Sequence, residues 1–129
     1  MESKSYNIND LHFEHRLWKS EMKIILGELN VYEEWLASLS QRSQKVEFQK
    51  KIEKFQNKFL IQRTHYDKFN DRINAQDSFI ESLEKENPKD ISETSINDHT
   101  HLKEEIDYAY KLYTELKADY KVFYSSVTF

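Results

Sequence analysis

Apolar and aromatic side chains recur at alternating spacings of three and four residues along three long segments of this 129-residue chain. This spacing places one such side chain per helical turn on a single face, which is typical of helices that pack along a heptad seam. Comparable seams run from Phe48 to Leu83 and from His99 to Phe123. The first seam consists of Ile8, Leu11, His15, Trp18, Met22, Ile25, Leu29, Tyr32, Leu36 and Leu39.

The sequence therefore predicts an all-α fold with three long antiparallel helices in an offset, coiled-coil-like bundle. The helices are expected at about residues 8–39, 44–86 and 96–125, within a single domain that covers residues 1–129. The single glycine and single proline of the chain support this class, because sandwiches, barrels and doubly wound sheets need many more turn residues.

Polar residues mark the expected ends of these helices. Asn7 or Asn9 is suited to cap the first helix, since Asn side chains accept hydrogen bonds from free amides at helix starts. Asn87-Pro88 is expected to end the second helix, because the residue before a proline is disfavoured in the helical region. Ser95 and Asp98 resemble a capping box at the start of the third helix.

Charge along the helix flanks predicts how the first two helices align. Folding them antiparallel about Ser43 brings an acidic flank against a basic one, with residue numbers in each pair that sum to 86. The pairs are Glu14–Arg72, Glu21–His65, Glu28–Lys58 and Trp35–Lys51. A weaker match of Glu84 with Lys103 and of Asn70 with Lys117 places the third helix. Residue x of the first helix then lies beside residue x + 101, so the third helix covers only half of the first.

A second apolar stripe on the first helix points away from its seam and includes Gly27, which costs about 1 kcal/mol in a helix relative to alanine. We interpret it as part of a surface that binds a second copy of the chain or another helical protein. The predicted partner-binding residues are Phe13, Leu17, Ile24, Gly27, Val31, Tyr32, Trp35, Leu60 and Ile61. The alternative is that the third helix, or the end Val127-Thr128-Phe129, covers this face.

The histidines and carboxylates of the chain suggest an alternative function, in which the helical bundle binds a metal ion. His12 and His15 lie on one side of the first helix, and Asp71 and Asp77 of the second helix fall at a similar level. The Glu-x-x-His motif of di-iron bundles is absent. The predicted register also places His99 about 25 Å from His15 along the axis. His15 is therefore expected to be a hydrogen-bonded core residue, and no cofactor is predicted.

Charge and composition reduce the number of function classes that fit the chain. The net charge of −4, with both signs interspersed, does not favour nucleic acid as a partner. The start of the chain has no apolar signal core, and apolar runs are too short for a membrane span. The absence of cysteine suits the cytoplasm. We expect a non-enzymatic scaffold, adaptor or small chaperone-like protein, since no nucleophile or triad motif appears.

Overall fold

The computed structural model describes residues 7–86 and 93–127, and for residues 84–86 it describes the backbone alone. Within these residues the chain forms α1 (Ile8–Ser40), α2 (Val46–Glu86) and α3 (Glu93–Ser126). α2 runs antiparallel to both α1 and α3, which are parallel to each other. The predicted all-α three-helix bundle is confirmed.

Asn7 caps α1, as one of the two predicted caps. Its side chain accepts a hydrogen bond of 2.9 Å from the backbone N–H of Asp10, and the carboxylate of Asp10 accepts one of 3.2 Å from the N–H of Asn7. The α1–α2 turn is held by Gln49, whose side-chain amide donates to the carbonyls of Ser40 and Ser43 at 2.8 and 2.6 Å. The first bond satisfies a carbonyl group that the end of α1 leaves without a helical partner, and the second satisfies one in the turn.

The other helix bounds lie close to the predicted ones. α2 is one continuous helix, as predicted. α3 begins at Glu93, three residues before the predicted start, so Ser95 lies inside the helix and does not cap it. The predicted stop at Asn87-Pro88 lies outside the described residues.

The predicted seams form the core, since every seam residue is buried or half-buried. At one end of the bundle the core is mainly aromatic. There the ring of Tyr120 lies 5.2 Å from that of Phe59 and 5.3 Å from that of Tyr32. Burial raises the pKa of Tyr120 to about 12, and its hydroxyl donates to the carbonyl of Tyr32. Two buried polar groups bond to each other, since the Tyr66 hydroxyl donates to the Gln62 side chain at 2.5 Å.

The predicted offset between the helices is wrong. Glu14 contacts His99, and the hydroxyl of Tyr120 bonds to Tyr32, so neighbours on α1 and α3 differ by 85 and 88 in residue number, not by 101. α3 therefore extends along the whole of α1. The half of the α1–α2 pair that the predicted offset left uncovered is covered by Phe123 of α3, whose ring lies 5.1 Å from that of Phe55.

The predicted pairing of the acidic α1 flank with α2 is also wrong. Glu28 accepts hydrogen bonds from Tyr113 and Lys117 of α3 at 2.6 and 3.1 Å, not from Lys58. The Tyr113 bond lowers the pKa of Glu28, with Lys117 adding to the effect. The acidic flank thus faces α3.

The contacts that do join α1 to α2 link other residues. Arg63 pairs with Glu33 at 2.9 Å, and Lys19 donates to Asn74. The residue numbers of these two pairs sum to 96 and 93, so the observed contacts between α1 and α2 do not follow the predicted sum of 86.

Candidate metal centre and exposed apolar face

Two histidines of α1 meet a carboxylate of α2. His12 and His15, one turn apart on the side of α1 that faces α2, place their Nδ1 atoms 3.2 and 2.5 Å from Oδ1 of Asp77. Each of these three side chains offers one potential metal-ligand atom, and the three atoms all lie within 4.8 Å of one another. Asp71, which the sequence suggested as a further ligand, is exposed and lies outside the group.

His15 continues the cluster toward α3. Its Nε2 atom lies 3.2 Å from Nδ1 of His99, and Nε2 of His99 lies 2.5 Å from a carboxylate oxygen of Glu14. His15 and His99 were expected to be about 25 Å apart on the predicted register. The expectation failed because α3 lies about fifteen residues from its predicted position along the bundle.

The two central histidines are enclosed by the core. His15 and His99 are each 1% exposed, and the indole of Trp18 stacks on His99 with ring centroids 4.8 Å apart. Burial lowers the pKa of His99, with the hydrogen bond to Glu14 acting in the opposite direction. Gln76 of α2 lies 3.1 Å from Nε2 of His15. The cluster thus joins all three helices through polar groups inside an apolar bundle.

His99 and Glu14 are not among the metal-site residues predicted from the sequence. A signal was nevertheless present, since His15 and His99 are both histidines on a core seam. Polar residues on a seam tend to meet one another, because each needs a hydrogen-bond partner in the core. Pairing them would have aligned α1 with α3 correctly. The other two histidines lie elsewhere: His65 stacks on Phe69, and His101 is exposed beside Glu104.

The second apolar stripe of α1 lies on the face opposite the core and is exposed. Phe13 is 68% exposed, Ile24 63% and Leu17 48%. Val31 continues the stripe, and apart from the adjoining backbone of α1 no atom of the described residues lies within 4 Å of the place where a side chain would begin at Gly27. α3 does not cover this face. The alternative cover was the chain end, of which Thr128 and Phe129 lie outside the described residues.

The remaining predicted partner residues are distributed differently. The ring of Tyr32 packs inside the aromatic end of the core. Trp35 is half-exposed and packs against Tyr124 of α3. Leu60 and Ile61 are both exposed, but Ile61 lines a groove between α2 and α3. Ile61 therefore does not extend the stripe on α1.

No protein-family model, curated protein or solved structure matches this chain. None of the helices, over the described residues, has the length and apolar character needed to cross a membrane.

Proposed function

We propose that this chain is a non-enzymatic cytoplasmic protein that acts through protein–protein interaction, and that the exposed stripe of α1 pairs with the same stripe of a second copy. The observation that carries the proposal is the exposure of Phe13, Leu17, Ile24 and Val31 along one face of one helix. Contiguous apolar patches of this kind mark interaction sites more often than isolated exposed residues do. The net charge of −4 favours a protein over a nucleic acid as partner.

The stripe is self-complementary when two copies of α1 pack antiparallel. A twofold axis at the level of residue 22 brings Leu17 opposite Gly27 of the second copy and Ile24 opposite Ser20. Phe13 then meets Val31. Each large side chain faces a smaller one, and Gly27 allows close approach of the two helices. A twofold dimer is also the commonest closed arrangement of identical chains.

The stripe from Phe13 to Val31 is about 27 Å long, given a rise of about 1.5 Å per residue. A contact between two single helices of this length buries less area than a standard interface of about 1,600 Å². The dimer is therefore expected to dissociate on dilution, consistent with a bundle whose core is complete within one chain.

Replacing Ile24 with glutamate is expected to abolish dimer formation. Glutamate at this position places a carboxylate from each copy inside an apolar interface, where an unpaired charge is costly. Light scattering and sedimentation equilibrium should report twice the 15.7 kDa chain mass for the original protein at high concentration. The variant should stay at 15.7 kDa.

The matched control is Val122→Glu, which changes a valine of α3 that lies outside the stripe and is 71% exposed. This control should dimerise normally. An original protein that stays monomeric at every concentration, or an Ile24→Glu variant that still dimerises, contradicts self-association. A monomer that binds a different helical protein through Ile24 would assign the stripe to another partner.

The antiparallel register has its own test, because the chain contains no cysteine. The two variants Leu17→Cys and Gly27→Cys are combined in one solution and oxidised. We expect a disulfide between one chain of each variant in preference to a disulfide between two chains of the same variant. In a parallel dimer, each variant would instead cross-link to itself. Gel electrophoresis without reductant distinguishes the mixed and identical products if one variant carries a tag that changes its size.

Gly27→Ala should have opposite effects on folding and on dimerisation. Alanine is favoured over glycine in a helix by about 1 kcal/mol, and within the described part of the chain the added methyl group meets no other side chain. The free energy of unfolding measured on dilute protein should therefore rise by about that amount. Dimer affinity should fall, since the methyl group holds Leu17 of the second copy away. Unchanged dimer affinity would show that Gly27 does not provide close approach.

A further inference from the structure

We propose that His12, His15 and Asp77 bind one divalent transition-metal cation, for which Zn²⁺ is the best match, and that His99 and Glu14 orient the His15 ligand. The ligand atoms are Nδ1 of both α1 histidines and Oδ1 of Asp77. This site is separate from the exposed stripe of α1 and does not depend on the function proposed for it.

The two distances to Asp77 can be compared with those around a bound cation. Zn²⁺ bonds of about 2.0–2.2 Å in a tetrahedral site separate neighbouring ligand atoms by about 3.4 Å. The separation of 3.2 Å between His12 and Asp77 nearly matches this value. The shorter distance between His15 and Asp77 has to open by about 1 Å, and both His12 and Asp77 have exposed edges that allow such a shift.

Three contacts link Asp77, His15, His99 and Glu14 in a row. A metal ion can take the place of the hydrogen in the first of these contacts, because it bonds both to the lone pair of an imidazole nitrogen and to a carboxylate oxygen.

A cation between His15 and Asp77 determines where the hydrogens of this row lie. With the metal on Nδ1, the hydrogen of His15 lies on Nε2, where it faces Nδ1 of His99 and the side-chain oxygen of Gln76. His99 then donates from Nε2 to Glu14. Every contact in the row is satisfied, and the ligand His15 is oriented by a second histidine and a carboxylate in the manner common around protein metal ions.

The donor set indicates the class of metal. Two imidazole nitrogens with one carboxylate oxygen suit Zn²⁺ and other late first-row cations better than Ca²⁺ or Mg²⁺, which prefer oxygen ligands. Three protein ligands leave a fourth position for water or another small ligand. The side chains of His12 and Asp77 are each 26% exposed, so this position and the path of entry face solvent.

The test is a titration of EDTA-treated full-length protein with ZnCl₂, followed by calorimetry, and with CoCl₂, followed by visible absorption. We expect one equivalent of Zn²⁺, a tetrahedral Co²⁺ spectrum and a higher midpoint temperature of unfolding with the metal. His12→Gln and Asp77→Asn should each lower the affinity by more than tenfold. His99→Gln should lower it by about 10- to 100-fold, as is typical of residues that orient a metal ligand.

His101→Gln is the matched control, since it removes an exposed histidine of α3. It should leave the affinity for Zn²⁺ unchanged, and circular dichroism should show that all variants remain helical. The proposal is overturned if Zn²⁺ and Co²⁺ do not bind. It is also overturned if His12→Gln and Asp77→Asn bind these cations as tightly as the unchanged protein does. A loss of affinity in His101→Gln as large as in these two variants would overturn it as well.

Discussion

Phe59→Ala is expected to lower the free energy of unfolding by about 3–5 kcal/mol, which is the usual cost of removing a fully buried phenylalanine ring. Phe59 is 0% exposed and lies where rings of all three helices meet. Its neighbours Tyr32, Phe55 and Tyr120 are large and rigid, so they fill the resulting cavity poorly. Urea denaturation of dilute protein, followed by circular dichroism, measures the change.

Phe79→Ala provides the comparison, because Phe79 lies on the same helix but is 54% exposed. Its effect should stay within about 0.5 kcal/mol, as for most surface substitutions. A similar loss of free energy of unfolding in Phe59→Ala and Phe79→Ala would contradict an aromatic core centred on Phe59, because the loss would then not depend on burial.

Removing one of the two buried histidines should be more destabilising than removing both. In metal-free protein, His15→Leu is expected to cost about 1–3 kcal/mol, because it removes the buried contact between Nε2 of His15 and Nδ1 of His99. His99→Leu leaves Nε2 of His15 with Gln76 alone and should also destabilise the fold. The double variant replaces a polar pair with apolar side chains, a change that is often nearly neutral.

A double-mutant cycle from urea denaturation in the presence of EDTA measures this coupling. The expected interaction energy is about 1–3 kcal/mol, within the range found for residues in direct contact. If the double variant loses as much free energy of unfolding as the two single variants together, His15 and His99 do not stabilise each other. Glu14 can stay hydrated in the double variant, since its side chain is 24% exposed.

The position of α3 shows why a repeating sequence pattern leaves the register of a bundle open. The observed alignment of α1 with α3 differs from the predicted one by about fifteen residues, close to two heptads. A seam that repeats every seven residues still matches its neighbour after such a shift, so apolar periodicity does not distinguish the two alignments. The choice depends on individual side chains, such as the pairs His15–His99 and Tyr32–Tyr120.

The flank of α1 illustrates a second ambiguity. A sequence shows that Glu14, Glu21 and Glu28 share one side of a helix, but not which neighbouring helix lies on that side. In the bundle that neighbour is α3, and Lys117 takes the place assigned to Lys58. Exposed ion pairs contribute only about 0–1 kcal/mol each, so their charge pattern is too weak to determine the arrangement of the helices.

The sequence by itself determined the three helices, their bounds to within about three residues, the buried seams and the apolar stripe on the back of α1. These features depend on the 3.6-residue period and on capping, which act over a few neighbouring residues. Only the tertiary structure decided which helix faces each flank and how far α3 extends along α1. Those choices depend on contacts between distant residues, and through them His15 and His99 of separate helices meet in one buried cluster beside Asp77.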